Sequence, residues 1–271
     1  AKYCPGRTTL SRLLSTITSA GYFLVDALAD ADNHSTVIVL SRDKQLTSGT
    51  TSQFFINGQR FVLTFAAPGD VMRIKSLLSQ NFYENYMLES ISENYSGGSI
   101  IDVGANIGNH SVFFGSIVTN GVVHAVEPGR VAYDLLERNL AANGVASAVL
   151  TYRFAAGDIV GDAAVGAATS TNLGAMKVLS APSGTAETVK MMPLDSILDP
   201  EEVISVVKID VEGFEIKALR GLQGLLDRQS PSLYIEAKRA SDVEALLDVL
   251  GPQGYRSVAC FNDTPTHLFR R

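Results

Sequence analysis

A chain of 271 residues is long enough to bury a sizeable core, and its formal net charge of −6, with no Lys/Arg cluster, excludes a broad phosphate-binding surface. Nucleic acid is therefore not expected as a partner, while small acidic or neutral ligands stay open. Cys4 and Cys260, at opposite ends, read as two reduced thiols of a cytoplasmic protein, and no apolar run nears the roughly twenty residues of a membrane span or forms a signal peptide.

The chain opens with Leu10, Leu13, Leu14, Ile17, Phe23 and Leu24, spaced as one face of a helix over residues 8–29. Asp30 to Asn33 read as a turn and Thr36 to Leu40 as a strand. Two apolar runs, 54–56 and 60–65, flank Asn57-Gly58, the dipeptide suited to the positive φ angles of a type I′ hairpin. Residues 1–67 thus read as a small α+β appendage, either a cap over an acceptor or an element of a homodimer. Asp70 is the expected N-cap of a helix carrying Met72, Ile74, Leu77 and Leu78, and a second helix is expected over 83–95.

From Ser99 the rhythm changes to strands alternating with amphipathic helices. Strands are expected at 99–103, 122–126, 149–154, 206–209, 233–235 and 255–259, and helices at 131–142, 214–226 and 243–250. That alternation predicts a parallel sheet with helices on both faces for a domain over 68–271. Residues 159–186, rich in Gly, Ala, Ser and Thr, break it as a loop or hairpin insertion, followed by an extra strand at 188–192.

Ligand chemistry concentrates at two strand ends. Ile101-Asp102-Val103-Gly104-Ala105-Asn106-Ile107-Gly108 runs from a strand through two glycines to a helix start, a junction where bare backbone can approach a ligand. Glu127 ends the next strand, where such folds place a carboxylate on a ribose diol. Asn106 stands where a dinucleotide loop needs its middle glycine, and Asp102 would repel a pyrophosphate. Both suit S-adenosylmethionine, which carries a ribose and an ammonium and no phosphate. The second end, Val206 to Glu215, puts Lys208 and Asp210 on one face of a strand, with Glu212 and Glu215 beyond it. Here a structural Lys208–Asp210 pair stands as the alternative to catalysis.

Together, 101–108, Ala125-Val126-Glu127-Pro128, Leu194-Asp195-Ser196-Ile197 and Lys208-Ile209-Asp210-Val211-Glu212-Gly213 resemble the FkbM-like family of S-adenosylmethionine-dependent methyltransferases. Phe82-Tyr83-Glu84 and Leu233-Tyr234-Ile235-Glu236 are also similar to the family pattern, and the resemblance covers residues 81–271. It implies an α/β class I methyltransferase (Rossmann-like) sheet of seven strands. The last strand would be antiparallel: 266–270 pairing with 255–259 through a turn at Asn262-Asp263. Asp102, Gly104, Asn106 and Gly108 would line the methionine end of the cofactor; Glu84 and Asn109 would be further cofactor contacts, and His110 could approach the cofactor's carboxylate, with an ordinary packed histidine as the alternative. Glu127 would take the ribose, and Ala156, Gly157 and Asp158 the adenine.

The resemblance also implies methylation of a hydroxyl on a saccharide or secondary metabolite. Asp210 is the first candidate for orienting the acceptor or accepting its proton and for touching the cofactor, with Lys208, Glu212 and Glu236 next. A divalent metal on Asp210, Glu212 and Glu236 lacks a spacing signal, and none is expected. An NAD(P)-dependent oxidoreductase and a non-catalytic cofactor-binding scaffold are the alternatives.

Overall fold

The computed structural model describes residues 23–29, 36–41, 50–67, 70–166, 178–179 and 187–271. Strands β1 (Phe23–Ala29) and β2 (Thr36–Ser41) form an antiparallel pair. The helix expected through residue 29 thus gives way to a strand from Phe23; its earlier part and the turn at 30–33 lie outside the described residues. Six of the seven residues of Phe23–Ala29 are apolar, Asp26 being the exception, and so short a run fits strand and helix periods alike.

The hairpin β3 (Thr51–Ile56) and β4 (Gln59–Thr64) turns at Asn57 and Gly58, both left-handed with φ 50° and 81°. It packs into the main core, where Phe54, Phe61, Leu63 and Phe65 join Ile100, Val112 and Leu136. Helices α1 (Val71–Ser79) and α2 (Asn85–Asn94) follow, the first capped by Asp70, whose carboxylate accepts the N–H groups of Met72 and Arg73.

The rest builds the expected sheet. In chain order it runs β5 (Ser99–Val103), α3 (Asn109–Ile117), β6 (Val123–Val126), α4 (Arg130–Ala142), β7 (Val149–Tyr152), β12 (Ile204–Ile209), α5 (Glu215–Arg220), α6 (Gln223–Arg228), β13 (Ser232–Glu236), α7 (Ala240–Leu250), β14 (Arg256–Phe261) and β15 (Thr266–Arg270). The strand order is β14-β15-β13-β12-β5-β6-β7. All neighbours are parallel except β15, which runs antiparallel to both β13 and β14.

Alternate residues feed two cores. Ile100, Ala125 and Val206 face α2, α3 and α4, while Ile101, Val126, Val207 and Leu233 face α5, α6 and α7. A second, four-stranded sheet joins the insertion to its flanks: β8 (Ala155–Ala156), β9 (Gly161–Val165), β10 (Val178–Leu179) and β11 (Glu187–Met192), in the order β10-β9-β11-β8. Residues 167–177 and 180–186 of the insertion lie outside the described residues.

Two corrections concern local features. The helix expected over 214–226 is two short helices, because Gly221 between them lies against the Gly157 carbonyl, which a Cβ would approach to 2.1 Å. Cys260, on β14, is disulfide-bonded and so is not a free thiol. The only other cysteine, Cys4, lies outside the described residues.

Two asparagines one helical turn apart tie the hairpin to the sheet. Asn139 accepts the Thr64 N–H at 2.7 Å and donates to the Thr64 and Ile107 carbonyls at 2.9 and 2.8 Å. Asn143 does the same with Val62, at 2.8 and 2.7 Å. The i, i+4 rise of α4 matches the two-residue repeat of a strand edge, so the free edge of β4 is covered by side-chain amides. The Ile107 bond also steadies the loop leading from β5 to α3.

Candidate active site

The carboxyl ends of β5, β6, β12 and β13 converge, and in open α/β sheets that is the ligand end. Backbone requirements shape it first. Gly104 has φ 77°, and a Cβ there would meet the Asp210 carbonyl oxygen at 1.8 Å. Gly108 has φ 86°, with Leu136 at 2.6 Å from its imaginary Cβ. Protein fills the space beside each, letting the end of β12 and α4 close on the loop. Three non-glycine residues at this end are also left-handed: Glu84 (φ 64°), Asn106 (φ 51°) and Glu212 (φ 53°). Left-handed glutamates are uncommon, and such strain gathers at functional sites.

The centre is an ion pair between adjacent strands. Lys208 and Asp102 are register partners across β12 and β5, with Nζ 3.0 Å from Oδ1, and Nζ also donates to the Gly104 carbonyl at 2.9 Å. Ser111 on α3 donates to the other Asp102 oxygen at 2.6 Å. Burial works against both charges, but the Lys208 ammonium holds Asp102 below the usual carboxylate range, and Asp102 with Asp210 holds Lys208 above its own. The structural pair considered for Lys208 is thus with Asp102 instead of Asp210.

Glu84 reaches the same centre from the loop before α2. The Asn109 amide fixes that loop by accepting the Tyr83 N–H at 3.2 Å and donating to the Tyr83 carbonyl at 3.1 Å, so its polar groups are taken up by backbone. Glu84 Oε2 lies 3.4 Å from His110 Nε2. Burial, aided by the Asp210 charge, pushes Glu84 up to about 8, and burial with Lys208 pushes His110 down to about 4. Near neutral pH this contact therefore joins a carboxylic acid and a neutral imidazole, and His110 Nε2 lacks a hydrogen-bond partner. Asn106 Oδ1 is likewise buried and unpartnered. Two orphaned buried polar atoms at one strand end are what a ligand would satisfy.

Glu127 stands at the end of β6. One oxygen accepts the Asn106 N–H at 2.9 Å and the other the Gly129 N–H at 2.7 Å, and burial pushes it up to about 7 despite these bonds. Each oxygen keeps a second lone pair for a hydroxyl. Ala156 is buried in the same apolar cluster as Val126, Gly157 packs on Met191, and Asp158 is half-buried in the following turn.

Asp210, Glu212 and Glu236 form the third group, with one carboxylate oxygen of each within 4.8 Å of the others. Burial and the Asp210 charge push Glu236 up to about 9. Sequence reasoning missed Lys238, whose Nζ lies 2.6 Å from Glu212 and 3.3 Å from Glu236. Glu215 is structural: it accepts the Gly213 and Val211 N–H groups at 2.9 and 3.3 Å, closing the turn. A cleft of ≈ 420 Å³ opens beside this group, lined among others by Glu212, Glu236, Lys238, Arg239 and Asp242.

The buried acids make stability depend on pH with a definite sign. Glu84 and Glu236 hold protons in the folded state up to about 8 and 9, against 4.5 ordinarily, so the folded state binds more protons and loses stability as pH rises. His110, pushed from 6.5 to about 4, acts oppositely below its ordinary value, which leaves the window above it clean. Thermal unfolding of the ligand-free protein should shift downward between about pH 7 and pH 9, and Glu84→Gln should flatten that fall. A melting temperature that holds or climbs across this window would contradict the charge assignment.

The family profile described as "Methyltransferase FkbM domain" matches residues 102–257, from the Asp102 loop into β14. The chain belongs to the FkbM methyltransferase family. Among curated relatives of this methyltransferase, the hexuronic acid methyltransferase AglP of Haloferax volcanii is 27% identical over 173 residues, covering 63% of this chain and 68% of that one. Solved structures similar to it include a precorrin-6y C5,15-methyltransferase from Geobacter metallireducens, at 17% identity and TM-score 0.43, covering 68% of this chain and 84% of that one. TYW2 of M. jannaschii, solved in complex with AdoMet, is 12% identical with a TM-score of 0.43 over 91% of this chain and 94% of that one. Among the described residues no helix is long and apolar enough to cross a membrane.

Proposed function

We propose that this FkbM methyltransferase uses S-adenosylmethionine to methylate a hydroxyl of a saccharide or related small molecule. The observation that carries the cofactor is the charge balance at the strand ends. Glu84, Asp102, Glu127 and Asp210 gather around the buried ammonium of Lys208, beside the unpartnered Asn106 Oδ1 and His110 Nε2. Asp102 and Asp210 against the one Lys208 ammonium leave a carboxylate surplus that suits an ammonium and a sulfonium and opposes a pyrophosphate, while the Glu84 and Glu127 oxygens suit the amino-acid end and a ribose diol, which disfavours NAD(P). The saccharide reading rests on the AglP relative, named for a hexuronic acid substrate.

Glu84, Asp102, Asn106 and His110 would hold the amino-acid end, and Glu127 the ribose. The cofactor supplies a methyl group already activated on sulfur, leaving alignment and proton removal to the protein. Asp210, at the end of β12, would accept the proton that the acceptor hydroxyl gives up on methylation. Glu84 and Glu236 keep their protons near neutral pH and serve as hydrogen-bond donors, an acid–base division set by burial. Residues 1–67 would act as an acceptor cap or a dimer contact.

Methyl-labelled S-adenosylmethionine with a panel of glycosides tests this reading: label on a sugar oxygen supports it, and label on nitrogen or carbon acceptors alone contradicts it. Asp210→Asn should lower kcat about 100-fold or more while leaving S-adenosylhomocysteine affinity nearly unchanged. The reverse pattern would make Asp210 a cofactor ligand.

A further inference from the structure

We propose that the Lys238 ammonium is the resident cation of the Asp210–Glu212–Glu236 group, filling the place a divalent metal would otherwise take. One oxygen from each of the three carboxyl groups lies within 4.8 Å of the others, a donor set suited to a hard cation. Glu236 ends β13, and Lys238 follows two residues later, the spacing that keeps side chains on one side of an extended chain. The left-handed turn at Glu212 brings its carboxylate across from the end of β12. Between them stands the ammonium, 2.6 Å from Glu212 Oε2 and 3.3 Å from Glu236 Oε2.

A magnesium or calcium ion binds carboxylate oxygens at about 2.0–2.6 Å, so an ion on these oxygens would be in contact with the Lys238 charge and repelled by it. Lys238 is thereby a positioning residue. It keeps Glu212 and Glu236 gathered beside Asp210 without an added ion, and its own side chain is 45% exposed, so replacing it opens no buried hole.

Manganese binding to the full chain, followed by the electron paramagnetic resonance of free Mn²⁺, tests this without methyl transfer, so a failure here leaves the proposed function standing. Lys238→Met should bind Mn²⁺ at least about tenfold more tightly than the native protein. Lys238→Met/Glu212→Gln should lose that gain, and Lys238→Arg, which keeps the charge, should match the native protein. Should Lys238→Met fold poorly by circular dichroism, Lys238→Gln takes its place under the same expectation. Equal Mn²⁺ affinity in the native and charge-removed proteins, or a gain that survives loss of Glu212, would overturn the proposal.

Discussion

Replacing Lys208 with methionine should lower the unfolding free energy by about 3–5 kcal/mol, the cost of stranding a buried charge. The Lys208 side chain is 4% exposed and that of Asp102 fully buried, so no water can replace the lost partner of Asp102. Asp210 would lose the same cation, and the Gly104 carbonyl its donor at 2.9 Å. Asp102→Asn added to Lys208→Met should recover much of the loss, because a neutral amide can keep the Ser111 bond without an uncompensated charge. Urea unfolding of the three variants measures both numbers. A single-variant loss below about 1 kcal/mol would mean that the pair contributes little beyond a surface ion pair.

Glu127→Ala should weaken S-adenosylhomocysteine binding by about ten- to a hundredfold. Hydrogen bonds to a charged group contribute roughly 1.5–3 kcal/mol, and each 1.4 kcal/mol is tenfold in affinity. Two effects combine here: the ribose hydroxyls lose their acceptor, and the Asn106 and Gly129 N–H groups lose the oxygens that hold their loops together. Calorimetry on the folded variant reads the sum. Unchanged affinity would reduce Glu127 to a brace for the two loops.

Much of this arrangement was legible in the sequence, for a physical reason. Short apolar runs ending in glycine or a carboxylate mark strands that feed helices, and from Ser99 onward the chain follows that rhythm, apart from the insertion, as far as β14; the reversed strand β15 was implied by the family resemblance instead. The hairpin was legible because Asn57-Gly58 tolerates the two left-handed angles it adopts.

What escaped depends on partners distant in sequence. Phe23–Ala29 carries an apolar run too short for periodicity to separate a strand from a helix. The break at Gly221 follows from the Gly157 carbonyl, some sixty residues away in the chain, while the apolar pattern runs on unbroken through Leu219, Leu222 and Leu225. Lys208 and Asp210 share a face of one strand, which invites pairing them, yet register with β5 sets Asp102 directly opposite Lys208. Lys238 gave no signal, since only the lateral alignment of β13 with β12 brings it to Glu212. The asparagine pair in and just after the last turn of α4 was equally silent, being readable only once the edge of β4 lies against it.

The claim on which the account depends is that the strand ends of β5 and β6 hold a sulfonium cofactor and not a dinucleotide. Isothermal titration of the full chain with S-adenosylhomocysteine and, separately, NAD tests it most directly. The account predicts saturable one-site binding of S-adenosylhomocysteine and no heat from NAD. Saturable NAD binding with none for S-adenosylhomocysteine would contradict it.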